Sequence, residues 1–270
     1  MYQTLHIQID DSVAHVRINR PDKANAFNQD FWEEFKTIME ALDEQKEVRV
    51  IVLSAEGKNF SAGMDLTLLM QAKQTVETEY CPAKGREQLR KDILAWQAAI
   101  TAIEHCKKPV LAAIHGACMG AGVDLVTACD MRYCTDDVQF SVKEVDLGIV
   151  ADLGTLQRLI RVIPYGIALE MALSAKIVDG KEAERIHLVN RSYKDQATML
   201  REVTKFAKLI ASKSPLAVRG TKQVVLHARD HTVADGLAYV ANWNAATLIS
   251  KDVEVAMNAQ MNRETPTFGD

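Results

Sequence analysis

The stretch IHGACMGAGVDLVTACDMRYCTDDVQFSVKEVDLGIVAD, residues 114–152, decides how this chain is read. It opens on a turn of small residues, 116–122, and then carries three carboxylates in largely apolar surroundings: Asp124, Glu144 and Asp152. A glycine-rich turn that feeds a helix aims backbone N–H groups at an anion. Carboxylates set among apolar residues have raised pKa values and can move protons. The segment therefore reads as an oxyanion site followed by an acid/base set.

Strands flank this stretch on its N-terminal side. Residues 5–9 and 13–18 read as two strands joined at Asp10-Asp11-Ser12. Residues 48–54 and 110–114 are short β-branched runs that suit buried parallel strands. Each of these two runs leads into a turn rich in Gly and Ala, the first at Ala62-Gly63-Met64-Asp65. Small residues let a ligand approach the backbone. Two N–H groups converging from two such turns would stabilise a developing oxyanion, a donor being worth about 2.7–4 kcal/mol in the transition state.

Between and beyond the strands the period is helical. Asn28 is placed to cap a helix containing Phe31, Trp32, Phe35, Ile38, Met39 and Leu42. Residues 66–86 suit a surface helix plus a mobile loop, and helical spacing resumes over 87–106 until Lys107-Lys108-Pro109 stops it. Short strands are expected at 131–133 and 138–141. After Thr155 the chain turns helical, with candidates at 155–161, 166–173, 181–186, 196–212, 215–230, 232–248 and 252–262. Alternating strands and helices followed by helices alone predict an α/β core over residues 1–200 and a helical C-terminal region over 201–270.

Composition narrows the function classes. The chain has 270 residues, 25% charged and 48% hydrophobic, with a net charge of −4, which excludes a general nucleic-acid binder. Five cysteines without a CxxC pair argue against a disulfide framework or a zinc site. The most apolar run, 109–129, contains His115, Asp124 and glycines and reads as strand plus helix, not a membrane span. Residues 1–11 do not form a signal peptide.

The motifs Asn19-Arg20-Pro21 with Asn25-Ala26, Phe60-Ser61-Ala62-Gly63-Met64-Asp65-Leu66, and His115-Gly116 through Gly120-Ala121-Gly122-Val123-Asp124-Leu125 resemble the crotonase (enoyl-CoA hydratase/isomerase) superfamily in order and spacing, over nearly the whole chain. The resemblance implies a spiral of ββα units with a helical trimerisation region, and an acyl-CoA thioester as substrate. It implies that the backbone N–H groups of Met64 and Ala121 form the oxyanion hole. It places substrate-binding residues at Ala62, Gly63, Asp65, Leu66 and Gly120, with Lys23 and Ala24 near the CoA nucleotide. Residues 66–80 would cover the acyl pocket.

The acids separate branches of that family. Hydratases carry glutamates at the positions matching Asp124 and Glu144, and a small residue near Asp152. Val123-Asp124-Leu125, Lys143-Glu144-Val145-Asp146 and Ala151-Asp152 are similar to the Δ3,5-Δ2,4-dienoyl-CoA isomerases instead. That branch implies proton transfer from C2 to C6 of a dienoyl thioester in fatty-acid β-oxidation, with Glu144 and Asp152 as the acid/base pair. Asp124 would tune or assist them, or serve only as a helix N-terminal carboxylate. Enoyl-CoA hydratase and Δ3-Δ2-enoyl-CoA isomerase stay open as alternatives. A non-catalytic RNA-binding relative would need a basic face, whereas helix 87–106 offers Arg90 and Lys91 against Glu87, Asp92 and Glu104.

Asp65, Asp130 and Asp146 read as caps, turns or partners of Arg132 and Arg158. His115 reads as a satisfied buried histidine, Cys118, Cys129 and Cys134 as packing, and Trp96 and Trp243 as core or interface. No metal or redox cofactor is implied, since CoA arrives with the substrate. The resemblance implies a homotrimer or a dimer of trimers. Neither end of the chain carries an organellar signal, which leads to the expectation of a cytoplasmic, bacterial protein.

Overall fold

A computed structural model describes residues 2–269. In chain order its elements are β1 (Leu5–Asp10), β2 (Val13–Ile18), α1 (Gln29–Glu44), β3 (Val50–Ala55), α2 (Leu66–Thr78), α3 (Pro82–His105), β4 (Val110–Ile114), β5 (Ala117–Met119), α4 (Ala121–Ala128), β6 (Met131–Thr135), β7 (Gln139–Ser141), α5 (Thr155–Val162), α6 (Tyr165–Ser174), α7 (Gly180–Arg185), β8 (Arg191–Tyr193), α8 (Gln196–Ala211), α9 (Pro215–Asp230), α10 (Val233–Thr247) and α11 (Lys251–Asn262). Short 3-10 turns stand at Pro21–Lys23 and Glu144–Leu147.

β3 and β4 are buried along their whole length, because helices cover both faces of the sheet. The strand order is β1-β2-β3-β4-β6-β8, antiparallel only between β1 and β2. Alternation sorts the side chains. Ile51 and Leu53 face a core shared with Phe31, Phe35 and Ile38 of α1 and Ile100 and Ile103 of α3. Val50 and Val52 face Met199, Val203 and Ala207 of α8. The boundary drawn at residue 200 thus falls inside a helix that packs on the sheet. A second, two-stranded parallel sheet pairs β5 with β7. It carries the main-chain turn into α4.

α1 follows its sequence signature. Asn28 accepts from Phe31 N at 3.1 Å, and the Phe27 and Phe31 rings stack with centroids 3.9 Å apart. Residues 66–86 differ from the expected helix plus loop. Asp65 caps α2 through Thr67 N at 3.2 Å, and Pro82 occupies the first turn of α3. Gly85 looks like a loop residue in sequence, yet a Cβ there would lie 2.7 Å from Val76 Cα. The glycine serves the close packing of α2 on α3. β5 and β8 leave no mark in the sequence pattern, since three residues are too few for period-2 alternation to show.

The C-terminal helices are pinned to this core by a buried lysine. Lys222 Nζ of α9 meets Asp130 at 2.7 Å and donates to the carbonyls of Ile103 and Lys108, each at 3.0 Å. The charge sits at the C-terminal end of α3, where the helix dipole favours a cation.

Candidate active site

The two glycine turns meet. Phe27 bridges to Met64: Phe27 N donates to Gly63 O at 2.8 Å, and Asp65 N donates to Phe27 O at 3.0 Å. In extended backbone successive residues point opposite ways, so this pairing leaves the Met64 N–H facing away from Phe27. Ala121 is the first residue of α4, entered from Gly120 at φ 49°. Neither the Met64 nor the Ala121 N–H donates to an acceptor among the described residues. A Cβ on Gly63 would lie 2.8 Å from Met119 O and 3.4 Å from Ala121 N. Only glycine, here at φ +95°, lets the turns touch.

Two polar residues hold the turns in register. Asn25 Nδ2 donates to Glu56 O and Asn59 O at 2.8 and 2.7 Å, and its Oδ1 accepts from Arg20 N at 2.7 Å. Ser61 Oγ donates to Asn25 O at 2.9 Å and accepts from Gly63 N at 3.0 Å. The Ser61 backbone pairs with β5, to Ala117 O at 2.9 Å and from Met119 N at 3.0 Å. Neither residue was singled out for a role in the sequence. Both lie in the motifs quoted above, but the contacts that join the two turns, from Asn25 to Glu56 O and Asn59 O and from Ser61 to Asn25 O, are remote along the chain.

The three acids occupy different environments. Asp124 is 1% exposed in the first turn of α4. Its Oδ1 accepts from Thr155 N, the first residue of α5, at 2.5 Å, while Oδ2 is buried without a partner. Burial pushes its pKa from 3.8 to about 6, and the Asp152 charge adds to the rise against the Thr155 hydrogen bonds. Glu144 stands over Gly120, whose absent Cβ would lie 3.3 Å from Oε1; Oε2 is buried and unpartnered. Burial first, then the charges of Asp124 and Asp152, push Glu144 from 4.5 to about 7. Asp152 is exposed, and partial burial raises its carboxyl above the usual range. Gln97 Nε2 holds its carbonyl at 2.6 Å.

A cavity of about 960 Å³ brings most of these groups together, with Met64, Gly120, Ala121, Glu144 and Asp152 in its wall. Ala62, Gly63, Asp65, Leu66 and Lys23 also line it. Two anticipated residues do not. Asp124 is sealed behind the wall, where it ties α4 to α5 and so anchors the loop that carries Asp152. Ala24 turns its carbonyl to Ala62 N at 2.9 Å, as the left-handed end of a 3-10 turn. The apolar wall comes from α2 and α3: Leu69, Val76, Leu89, Ile93 and Trp96. Trp96 is therefore wall as well as core. Lys73 and Lys143 join Lys23 around the cavity. Lys23 has no acid partner among the described residues.

The remaining polar expectations change partners. Asp65 pairs with Arg20 at 3.3 Å and caps α2. Asp130 pairs with Lys222 rather than Arg132, which donates to the carbonyls of Leu188 and Cys129 at 2.8 and 2.7 Å. Arg158 pairs with Glu104 at 2.6 Å, and Asp146 with Lys143 at 2.7 Å. His115 Nε2 meets Gly57 O at 2.9 Å, but Nδ1 has no partner, so the histidine is only half satisfied. Cys118, Cys129 and Cys134 are buried, with thiols pushed up by burial. No group of three His, Cys, Asp or Glu suited to a metal occurs among the described residues.

The family model described as enoyl-CoA hydratase/isomerase matches residues 8–270. The chain is 49% identical to a protein of Arabidopsis thaliana named Delta(3,5)-Delta(2,4)-dienoyl-CoA isomerase, peroxisomal, over 99% of this chain and 97% of that one. It is 41% identical to a protein of Dictyostelium discoideum named Delta(3,5)-Delta(2,4)-dienoyl-CoA isomerase, mitochondrial, over 99% of this chain and 92% of that one. A crystal structure of enoyl-CoA hydratase from Bacillus anthracis superposes with a TM-score of 0.88 at 26% identity, covering 98% and 99% of the two chains. The crotonase-like α/β fold is the one expected. The expectation of a cytoplasmic, bacterial protein is overturned, because these relatives are eukaryotic and named for organelles. Sorting signals are short receptor-read addresses outside the fold, so the folded domain does not record the compartment.

Proposed function

The chain belongs to the enoyl-CoA hydratase/isomerase family, and from that membership we propose that it converts 3,5-dienoyl-CoA to 2,4-dienoyl-CoA, a step of fatty-acid β-oxidation. The observation that carries this reading is the presence of Glu144 and Asp152 in the wall of one cavity with Met64 and Ala121. A hydratase delivers water across one double bond. A 3,5- to 2,4-shift needs a base at C2 and an acid at C6, which calls for two carboxyls along an extended acyl chain.

The thioester oxygen accepts from the N–H groups of Met64 and Ala121. One carboxylate removes a C2 proton, and the electron pair spreads over the conjugated chain onto that oxygen. The other carboxyl gives its proton to C6, the double bonds move to C2–C3 and C4–C5, and the carbonyl reforms. The α4 dipole and preorganised donors stabilise the charge where it develops. Asp124 acts from behind the wall. Its charge adds to burial, the larger cause, in raising Glu144 to about 7, and it fixes the Asp152 loop through Thr155. Glu144 and Asp152 have unlike surroundings, the usual means of dividing acid from base. Lys23, Lys73 and Lys143 suit the phosphates of CoA, and the α2–α3 wall suits the acyl chain. No resident metal or cofactor enters this scheme.

Exposed apolar side chains on α10 and α11, among them Val233, Leu237, Met257 and Met261, support assembly as a homotrimer or dimer of trimers. The purified protein, mixed with a 3,5-dienoyl-CoA, is expected to generate the ultraviolet band of the extended conjugation. Rapid hydration of a 2-enoyl-CoA without that band would overturn the isomerase in favour of the hydratase.

A further inference from the structure

Two cavities meet at Asp152. Behind the acyl cavity lies a second, of about 410 Å³, and Asp152 and Leu153 are the two residues that line both. The rear cavity is bordered by charged side chains, Glu104, Arg158, Arg161, Arg229 and Asp230. These ions satisfy one another: Arg158 and Arg229 both bind Glu104, and Arg161 meets Asp230 at 3.5 Å. A roomy polar space of this kind holds water, not hydrocarbon. Glu144 borders only the front cavity, and its Oε2 is buried. With an acyl chain in the front cavity, Glu144 is cut off from solvent while Asp152 still borders the rear.

The isomerisation proposed above, on which this inference rests, leaves its two carboxyls exchanged. The base has gained the C2 proton and the acid has lost one to C6. No proton is consumed overall, yet the pair must be reset before the next substrate reacts. We propose that the rear cavity is the proton port of the site: water there exchanges protons with the Asp152 carboxyl, and the pair is reset by transfer between Asp152 and Glu144. At Asp152 one O–H bond to the old proton breaks as one to a solvent proton forms. The proton that reaches C6 therefore comes from solvent and not from C2 of an earlier substrate.

The test is a 3,5-dienoyl-CoA deuterated at C2, turned over many times in ordinary water at saturating concentration, with the product read by mass spectrometry. The expected product carries hydrogen at C6. Deuterium retained at C6 overturns the port. A Gln157→Trp variant then locates the route. Gln157 is exposed on α5 at the rim of the rear cavity and has no part in the catalytic machinery. Trp there narrows the cavity and is expected to make deuterium appear at C6 of the product, with KM unchanged. Washout that stays complete in a folded Gln157→Trp protein overturns the rear route. If that variant does not fold, Arg161→Trp makes the same test from the same rim. A wild-type sample that forms no conjugated product overturns the isomerase reading and this inference with it. Product with label retained at C6 overturns the port alone.

Discussion

The two sides of the cavity are built on different principles. On one side the proposed working groups are backbone N–H groups, those of Met64 and Ala121, fixed by glycines, a strand-like bridge and the Asn25–Ser61 hydrogen bonds. On the other they are side-chain carboxyls whose behaviour is set by burial and by one another. The backbone side is rigid and identical for any thioester. The acid side can be retuned by a single residue. The contrast explains how one scaffold can keep a common enolate site while the proton chemistry differs.

The acid side is the more sensitive to direct replacement. Glu144→Gln and Asp152→Asn are each expected to lower turnover by on the order of 10²–10⁴ while CoA thioester binding, measured by calorimetry, persists. An unchanged rate in either variant would remove that residue from the mechanism. The backbone side can be reached only through its glycines. Gly63→Ala places a Cβ 2.8 Å from Met119 O at φ +95° and must part the two turns. The expected loss is about 2.7–4 kcal/mol of transition-state stabilisation, or roughly 10²–10³ in kcat. A fully active Gly63→Ala enzyme would refute the assignment of the two N–H donors.

Asp124 sharpens the contrast through stability. Its folded pKa is about 6 against an ordinary 3.8, so between those values the folded chain holds a proton that the unfolded chain releases. Stability therefore falls as pH rises through this window. The full penalty, about 3 kcal/mol at 1.36 kcal/mol per unit, is present above about pH 6. Asp124→Asn keeps an acceptor for Thr155 N and removes the charge. Denaturant unfolding should show it more stable than wild type by about this amount at pH 8 and equal to it at pH 3. Equal stability at both would mean that the carboxyl is not desolvated. The smallest effect is expected from Ser61→Ala, which leaves Gly63 N and Asn25 O without their buried partner. It should cost about 1–3 kcal/mol of stability, with kcat falling more than KM rises if the turns lose register.

How far the sequence carried depended on range. The strands other than β5 and β8, the Asn28 cap and both glycine turns were legible because each is a local pattern of burial, capping or backbone freedom. The family motifs added the expectation that Met64 and Ala121 are the donors of the two turns. What stayed hidden involves partners distant in the chain. Gly85 looked like a loop until α2 was seen against it. Asp130 looked like a partner for Arg132 until Lys222 arrived from the C-terminal region. Gln97, which holds the Asp152 carbonyl from 55 residues away, carried no sign in its own neighbourhood.

By itself, then, the sequence determined the α/β architecture and offered two glycine turns and three acids as candidates, because local spacing and side-chain chemistry are written along the chain; the family resemblance pointed to Met64 and Ala121 as the donors. Tertiary structure alone decided that Glu144 and Asp152 share a cavity, that Asp124 is sealed behind it, and that Asp152 borders a second, charged cavity. Proximity, desolvation and solvent access arise from the packing of segments remote in sequence, and a carboxyl's pKa follows from all three.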